Sequence, residues 1–197
     1  MKSYNNEFET VDQILSGYAV TRRTDAFILT WVKMEKQLRR LFTFFAFQNS
    51  AFNYGDIDAF IEMIVKNNHL YFYSFQKLIE KLLNIDFENI LNKDLTKHMK
   101  QDYQAFYKDV QRIKKYRNKI MHGQITGQKL QSKQIEKDIN LLRDWIIIVG
   151  NHFQKKYGYD GLGRNTFSMA KNITPKTIIN YPFDTISKLE QWIKKNA

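Results

Sequence analysis

The stretch TDAFILTWVKMEKQLRRLFTFF, residues 24–45, decides the fold class of this chain. Phe27, Trp31, Met34, Leu38, Leu41 and Phe45 recur at intervals of three and four, with Phe42 beside them, which is the period of one helix face. Lys33, Glu35, Lys36, Arg39 and Arg40 fill the polar side. Thr24 and Asp25 supply an N-cap and an acidic first turn. A helix with so wide an apolar stripe has to bury it against other elements.

Outward from this segment the same period returns. Before it, a weaker helix over about 7–19 carries Val11, Ile14, Leu15 and Tyr18. After it, residues 53–56 break the chain, and Asp56 is placed to cap a short helix with Ile57, Phe60, Ile61 and Ile64. Asn67 and Asn68 end that helix, and Phe72, Phe75, Leu78, Ile79 and Leu82 mark the next. One long helix is expected from about Asp94 to Met121, with Gly123 as its C′ residue. Another is expected from Gln131 to Tyr157. Both prolines and five of the eight glycines lie beyond residue 125, so residues 158–183 read as an extended excursion with a short strand at Thr177-Ile-Ile. A last helix starts near Asp184. The expectation is an all-α, up-and-down bundle of four to six helices with a Gly/Pro-containing extension and a terminal helix. Residues 1–157 would form the bundle, and residues 158–197 a loop and C-terminal helix packed on the same domain.

Composition narrows the function. Hydrophobic residues make up 43% and aromatics 15%, too many for a disordered chain. With no Cys there is no disulfide framework, no thiolate zinc site and no cysteine nucleophile. The four His (69, 98, 122 and 152) show no metal-ligand spacing, so neither a metal nor a cofactor is expected. No run of about 18 apolar residues is present, and the N-terminus reads as neither signal nor anchor, so a cytoplasmic protein with no membrane partner is expected. The 31 basic residues exceed the 20 acidic ones by +11, which points to polyanions and to nucleic acid first. Composition bias remains open as the source, since 23 of those 31 are Lys. There is no phosphate-binding loop of the G-x-x-x-x-G-K-[ST] type, and no G-x-S-x-G elbow. Gly161-Leu-Gly163 is a lone G-x-G in a loop. Asp56 with Asp58, and Asp86 with Glu88, sit at expected helix starts and read as caps rather than an acid–base pair.

The segment QRIKKYRNKIMHG, residues 111–123, is the one that could carry chemistry. Arg112, Lys114, Lys115, Arg117 and Lys119 precede His122 within eleven positions. At about 100° per residue, Asn118 and His122 share a helix face, with Lys115 and Lys119 beside it. A solvated basic face with a capping His is one reading. The other is chemical. Arg presents a planar fork to phosphate oxygens, and His can move a proton at neutral pH. Together they suffice for metal-free RNA cleavage by 2′-hydroxyl attack, with Arg stabilising the developing charge.

Arg117-Asn-Lys-Ile-Met-His122 resembles the R-x(4–6)-H signature of HEPN domains, including the polar residue directly after the Arg. Thr24 to Leu41, with Trp31 and Glu35, resembles the first long HEPN helix, and the likeness extends over residues 20–157. It implies a metal-independent endoribonuclease of a toxin–antitoxin or antiviral defence system. It also implies a homodimer in which two motifs meet in one composite site, and an antitoxin or defence partner protein. Carried over, Arg117 would hold the scissile phosphate, His122 would transfer a proton, Asn118 would orient one of them, and Glu35 would be a supporting acid. Arg112, Lys114, Lys115 and Lys119 would bind the RNA. One branch of the family carries a Tyr two residues after the His as an adenylylation target; here Gln124 stands there. A catalytically silent HEPN module binding nucleotide, RNA or a partner is the alternative. A structural domain with an incidental basic face is a third reading.

Overall fold

The computed structural model describes residues 2–19, 21–67, 70–123, 132–172, 178 and 180–197. Among them the chain forms nine α-helices and no strand: α1 (Lys2–Ser16), α2 (Arg22–Phe47), α3 (Ile57–Lys66), α4 (Phe72–Leu83), α5 (Phe87–Met99), α6 (Tyr103–Met121), α7 (Ser132–Tyr157), α8 (Thr166–Asn172) and α9 (Ile186–Asn196). A single 3-10 turn, Tyr54–Asp56, precedes α3. The helical class follows the hydrophobic period. Two departures from the expected spans bring the count to nine: one expected long helix is divided, and a short helix lies in the expected excursion.

The first departure falls inside the long helix expected from Asp94 to Met121. Lys100 takes a left-handed φ of 55°, which few non-glycine residues adopt. Asp102 then caps α6, its Oδ1 accepting the Ala105 N–H at 2.7 Å. The Tyr103 N–H, left over at the new helix start, donates to Asn92 Oδ1 at 3.0 Å. Met99, Tyr103 and Phe106 keep helical spacing across the break, so the period alone does not register it.

The second departure lies in residues 158–183, where α8 occupies part of the expected extended excursion. The loop before α8 is tied to α2: Gln37 Nε2 donates to the Asp160 carbonyl at 2.9 Å, and Tyr159 is fully buried. Gly161 explains its own residue type. A Cβ there would stand 2.9 Å from the Gln37 carbonyl and 2.8 Å from its Cγ, at a φ of +77°. The G-x-G is a packing device. The strand expected at Thr177-Ile-Ile lies largely outside the described residues, as do His69 and Gln124. Asp56 also differs from its expected role: its Oδ2 turns back to accept the Asn53 N–H at 2.8 Å and makes no side-chain cap on α3.

The helices assemble as two compact units. The first comprises residues 1–34 and 88–149, and the second residues 35–87 and 150–197. In the first, Phe106 on α6 stacks on Trp145 of α7 with centroids 4.4 Å apart, amid buried Val110, Ile113, Ile139 and Leu142. Arg143 of α7 clamps α1, pairing with Asp12 at 2.7 Å while lying 4.8 Å over the Phe8 ring. The second unit has an aromatic core: Phe42, Phe44, Phe45 and Phe47 of α2 are all buried. Trp192 of α9 stacks near Phe42, and Phe60 meets Phe47 edge-on at 5.5 Å. Phe42 and Phe45 are thus core, whereas Tyr71 at the start of α4 is exposed.

Candidate functional site

The end of α6 carries the motif. Phe106, Val110 and Ile113 give the helix a buried stripe, which anchors its first three turns and leaves the last turns half-exposed. Its termination follows the Gly123 expectation. The His122 N–H donates to the Asn118 carbonyl and the Gly123 N–H to Ile120, both at 3.1 Å, and Gly123 takes a φ of +62°. His122 is therefore the C-cap residue, with its side chain exposed.

Arg117 is half-buried and braced twice. Its Nη1 donates to Asn118 Oδ1 at 3.0 Å. Its guanidinium carbon lies 6.0 Å from the ring centroid of Trp31, a residue 1% exposed on α2. A guanidinium over an indole face is favourable and restricts the rotamers of a long side chain. The first half of α2 thus positions the arginine of the motif. Sequence reading singled out Trp31 as part of a helix, and the i,i+3/i+4 pattern held no sign of this contact.

The basic residues around the motif are not equivalent. Arg112 grips Asp138 of α7 with both terminal nitrogens, at 2.7 and 3.0 Å, and its Nε and Nη2 reach Asp109 at 3.3 and 3.1 Å. Asp138 is 3% exposed at its side chain and also accepts from Gln134 at 2.9 Å. The Asp138 contact, foremost, holds the Arg112 guanidinium still more firmly protonated than an ordinary arginine. Arg112 therefore works chiefly inside the fold, and two carboxylates offset its charge. Lys115 is exposed, and Lys114 and Lys119 are half-exposed. Lys119 stands in the last turn, where the helix dipole favours a cation.

Arg117, Asn118 and His122 all belong to the first unit, together with Lys114, Lys115 and Lys119. Glu35 is the first residue of the second unit and is half-buried. Among the described residues no group of three or more His, Asp or Glu side chains could hold a metal ion. No described helix is long and apolar enough to cross a membrane. The residues missed by sequence reading are Asp138 and Asp109. Asp109 stands three positions from Arg112, a spacing open to inspection, whereas Asp138 is 26 positions away on another helix.

What the arrangement offers chemically is a fixed guanidinium, an amide touching it, and an exposed imidazole one turn on, with lysines alongside. No known family matches the chain, and no curated protein or solved structure does either.

Proposed function

We propose that this protein is a metal-independent endoribonuclease of HEPN type, acting as a toxin or antiviral defence effector in the cytoplasm. The observation that carries the reading is Arg117 braced by Trp31 and Asn118 beside an exposed His122 at the end of one helix. In this mechanism Arg117 engages the scissile phosphate and His122 takes the 2′-hydroxyl proton. The 2′-oxygen attacks phosphorus, the bond to the 5′-oxygen breaks, and that oxygen takes up a proton. The products are a 2′,3′-cyclic phosphate and a 5′-hydroxyl. One motif supplies one imidazole, so a second copy of His122 brought close by a two-fold axis completes the site as the acid. Asn118 then keeps Arg117 in place, and Lys114, Lys115 and Lys119 hold the strand.

The test is cleavage of single-stranded RNA in excess EDTA, with analysis of the product ends. Arg117→Ala and His122→Ala should each lower the rate at least about a hundredfold, the scale of losing a general base or charge stabiliser. Arg117→Lys should recover little, because a point charge does not replace a fork. Circular dichroism should show all three variants folded. A requirement for a divalent cation would refute the mechanism. RNA binding without cleavage would instead identify a silent binding module. Light scattering that shows only monomer at tens of micromolar would exclude the composite site.

A further inference from the structure

The second unit contains a groove of about 270 Å³ that no part of the ribonuclease reading uses. It lies between the second half of α2, α3 and α8. Its floor is apolar: Phe60 is buried, Ile64 nearly so, and Phe167 stands edge-on to Phe60 with centroids 6.0 Å apart. At its mouth Ile61 and Val65, one helical turn apart, are 45% and 65% exposed. Branched aliphatic surface therefore runs out of the groove into solvent.

The opposite wall is cationic, and no carboxylate among the described residues lines the groove. Arg40 is held by neutral acceptors alone: Nε donates to Thr166 Oγ1 at 3.0 Å, and Nη2 to the Arg164 carbonyl. Its guanidinium carbon lies 6.0 Å from the Tyr159 ring centroid. These contacts fix the fork, with the Tyr159 hydroxyl as a further neutral partner, and no carboxylate pairs with Arg40 among the described residues. Arg39 is exposed and makes no hydrogen bond or ion pair among them. A half-buried guanidinium without a counter-ion is costly, and the exposed Arg39 beside it adds a second positive charge to the same wall.

We propose that this groove binds a small organic anion, a carboxylate on an aliphatic or aromatic body. The head pairs with Arg39 and the open edge of Arg40, and the body lies on Phe60, Ile64 and Phe167. The volume limits its size, since pockets for drug-sized ligands span about 300–1,000 Å³. A single ring or a short chain fits; a dinucleotide does not. Charge at the mouth separates this ligand from a nucleic acid strand. Asp58 shares the exposed face of α3 with Ile61 and Val65 and repels a polyanion while leaving room for one carboxylate; Glu62 beside it is offset by Lys66 at 2.6 Å. The site stands independently of the motif on α6.

The experiment titrates octanoate, octanol and octylammonium separately into the full-length chain, read by methyl NMR. Octanoate should shift the methyl signals of Ile61, Ile64 and Val65 and leave those of Ile113 unchanged. It should bind at least about tenfold tighter than octanol, the scale of a charge-assisted hydrogen bond. Arg39→Gln should remove most of that advantage and leave octanol affinity unchanged; Arg39→Glu should weaken octanoate further. Both substitutions are at an exposed helical position, and unchanged thermal melting would show that the fold is kept. Equal affinity for octanoate and octanol would overturn the proposal, as would tighter binding of octylammonium or no methyl shift at millimolar octanoate. Displacement of octanoate by a single-stranded RNA 12-mer would assign the groove to nucleic acid instead and refute it. Binding of phosphatidylglycerol vesicles without binding of free octanoate would likewise refute it in favour of a lipid surface.

Discussion

Arg112 and Arg117 stand five residues apart on α6, yet their surroundings give them different work. Arg117 lies over the Trp31 indole and donates to the Asn118 amide oxygen, which fixes its fork at the end of the helix. Arg112 spends its charge on a buried carboxylate. Arg112→Ala would leave the Asp138 carboxylate buried with, among the described residues, only the Gln134 amide donating to it, so the variant should lose about 3 kcal/mol in a urea titration. Lys115→Ala, at an exposed position, should fall within about 0.5 kcal/mol of the parent. The motif residues were legible in the sequence because R-x-x-x-x-H at a helix end is a local pattern. The brace under Arg117 was not, because Trp31 is remote in sequence and reads equally well as simple core. A second residue-scale prediction concerns Tyr181, whose hydroxyl donates to the Phe45 carbonyl at 2.7 Å. Burial pushes its phenol well above the usual range. An unfolded tyrosine ionises near about pH 10, so above that pH the unfolded chain releases a proton that the folded chain retains, and stability falls as pH rises. Tyr181→Phe should cost about 1 kcal/mol at neutral pH through the lost hydrogen bond. It should also show a shallower decline in denaturant stability above pH 10. An equally steep decline would place the alkaline sensitivity elsewhere.

Among the elements, the junction of α5 and α6 sets where the motif helix begins and so how far it extends as a rigid arm. Two residues hold it: Asp102 as cap and Lys100 in the left-handed region. Asp102→Ala should lower stability by about 1 kcal/mol. Lys100→Gly should raise it by up to about 1 kcal/mol, since glycine meets no Cβ penalty at that φ. If Lys100→Gly destabilises instead, the turn is kept by contacts of the lysine side chain rather than by its backbone. Helix identity was readable from spacing throughout α2, α4, α7 and α9. Helix ends were harder. The stop at Gly123 was visible because glycine is itself the signal, whereas the stop at Lys100 was hidden by an apolar period that continues across it. α8 was missed for a related reason: it has seven residues, two turns, too short for a period to stand out among neighbouring glycines.

For the whole molecule the question is whether +11 acts as a diffuse field or through a defined face. If Lys114 and Lys119 contact phosphates, Lys114→Glu with Lys119→Glu should flatten the log–log salt dependence of RNA binding by about 1.4, at roughly 0.7 per contact on a single strand. It should also weaken unrelated RNA sequences by similar factors. In α9, Lys188 and Lys194 pair with Asp184 and Glu190, each at 2.8 Å. The control Lys188→Glu with Lys194→Glu should change binding much less; equal losses would make the charge a diffuse field. The sequence by itself determined the helical class, the position of most helices and the segment that could carry chemistry. Each of these depends on residues within about five positions of one another, and a helix fixes their relative placement whatever the rest of the chain does. Only the tertiary structure decided that Arg112 is bound inside the fold by Asp138 and that Trp31 carries Arg117. It alone decided that Arg39 and Arg40 face an apolar groove closed by α3 and α8. Those relations join residues 20 to 128 positions apart, and no spacing rule in the chain encodes which distant helix packs where.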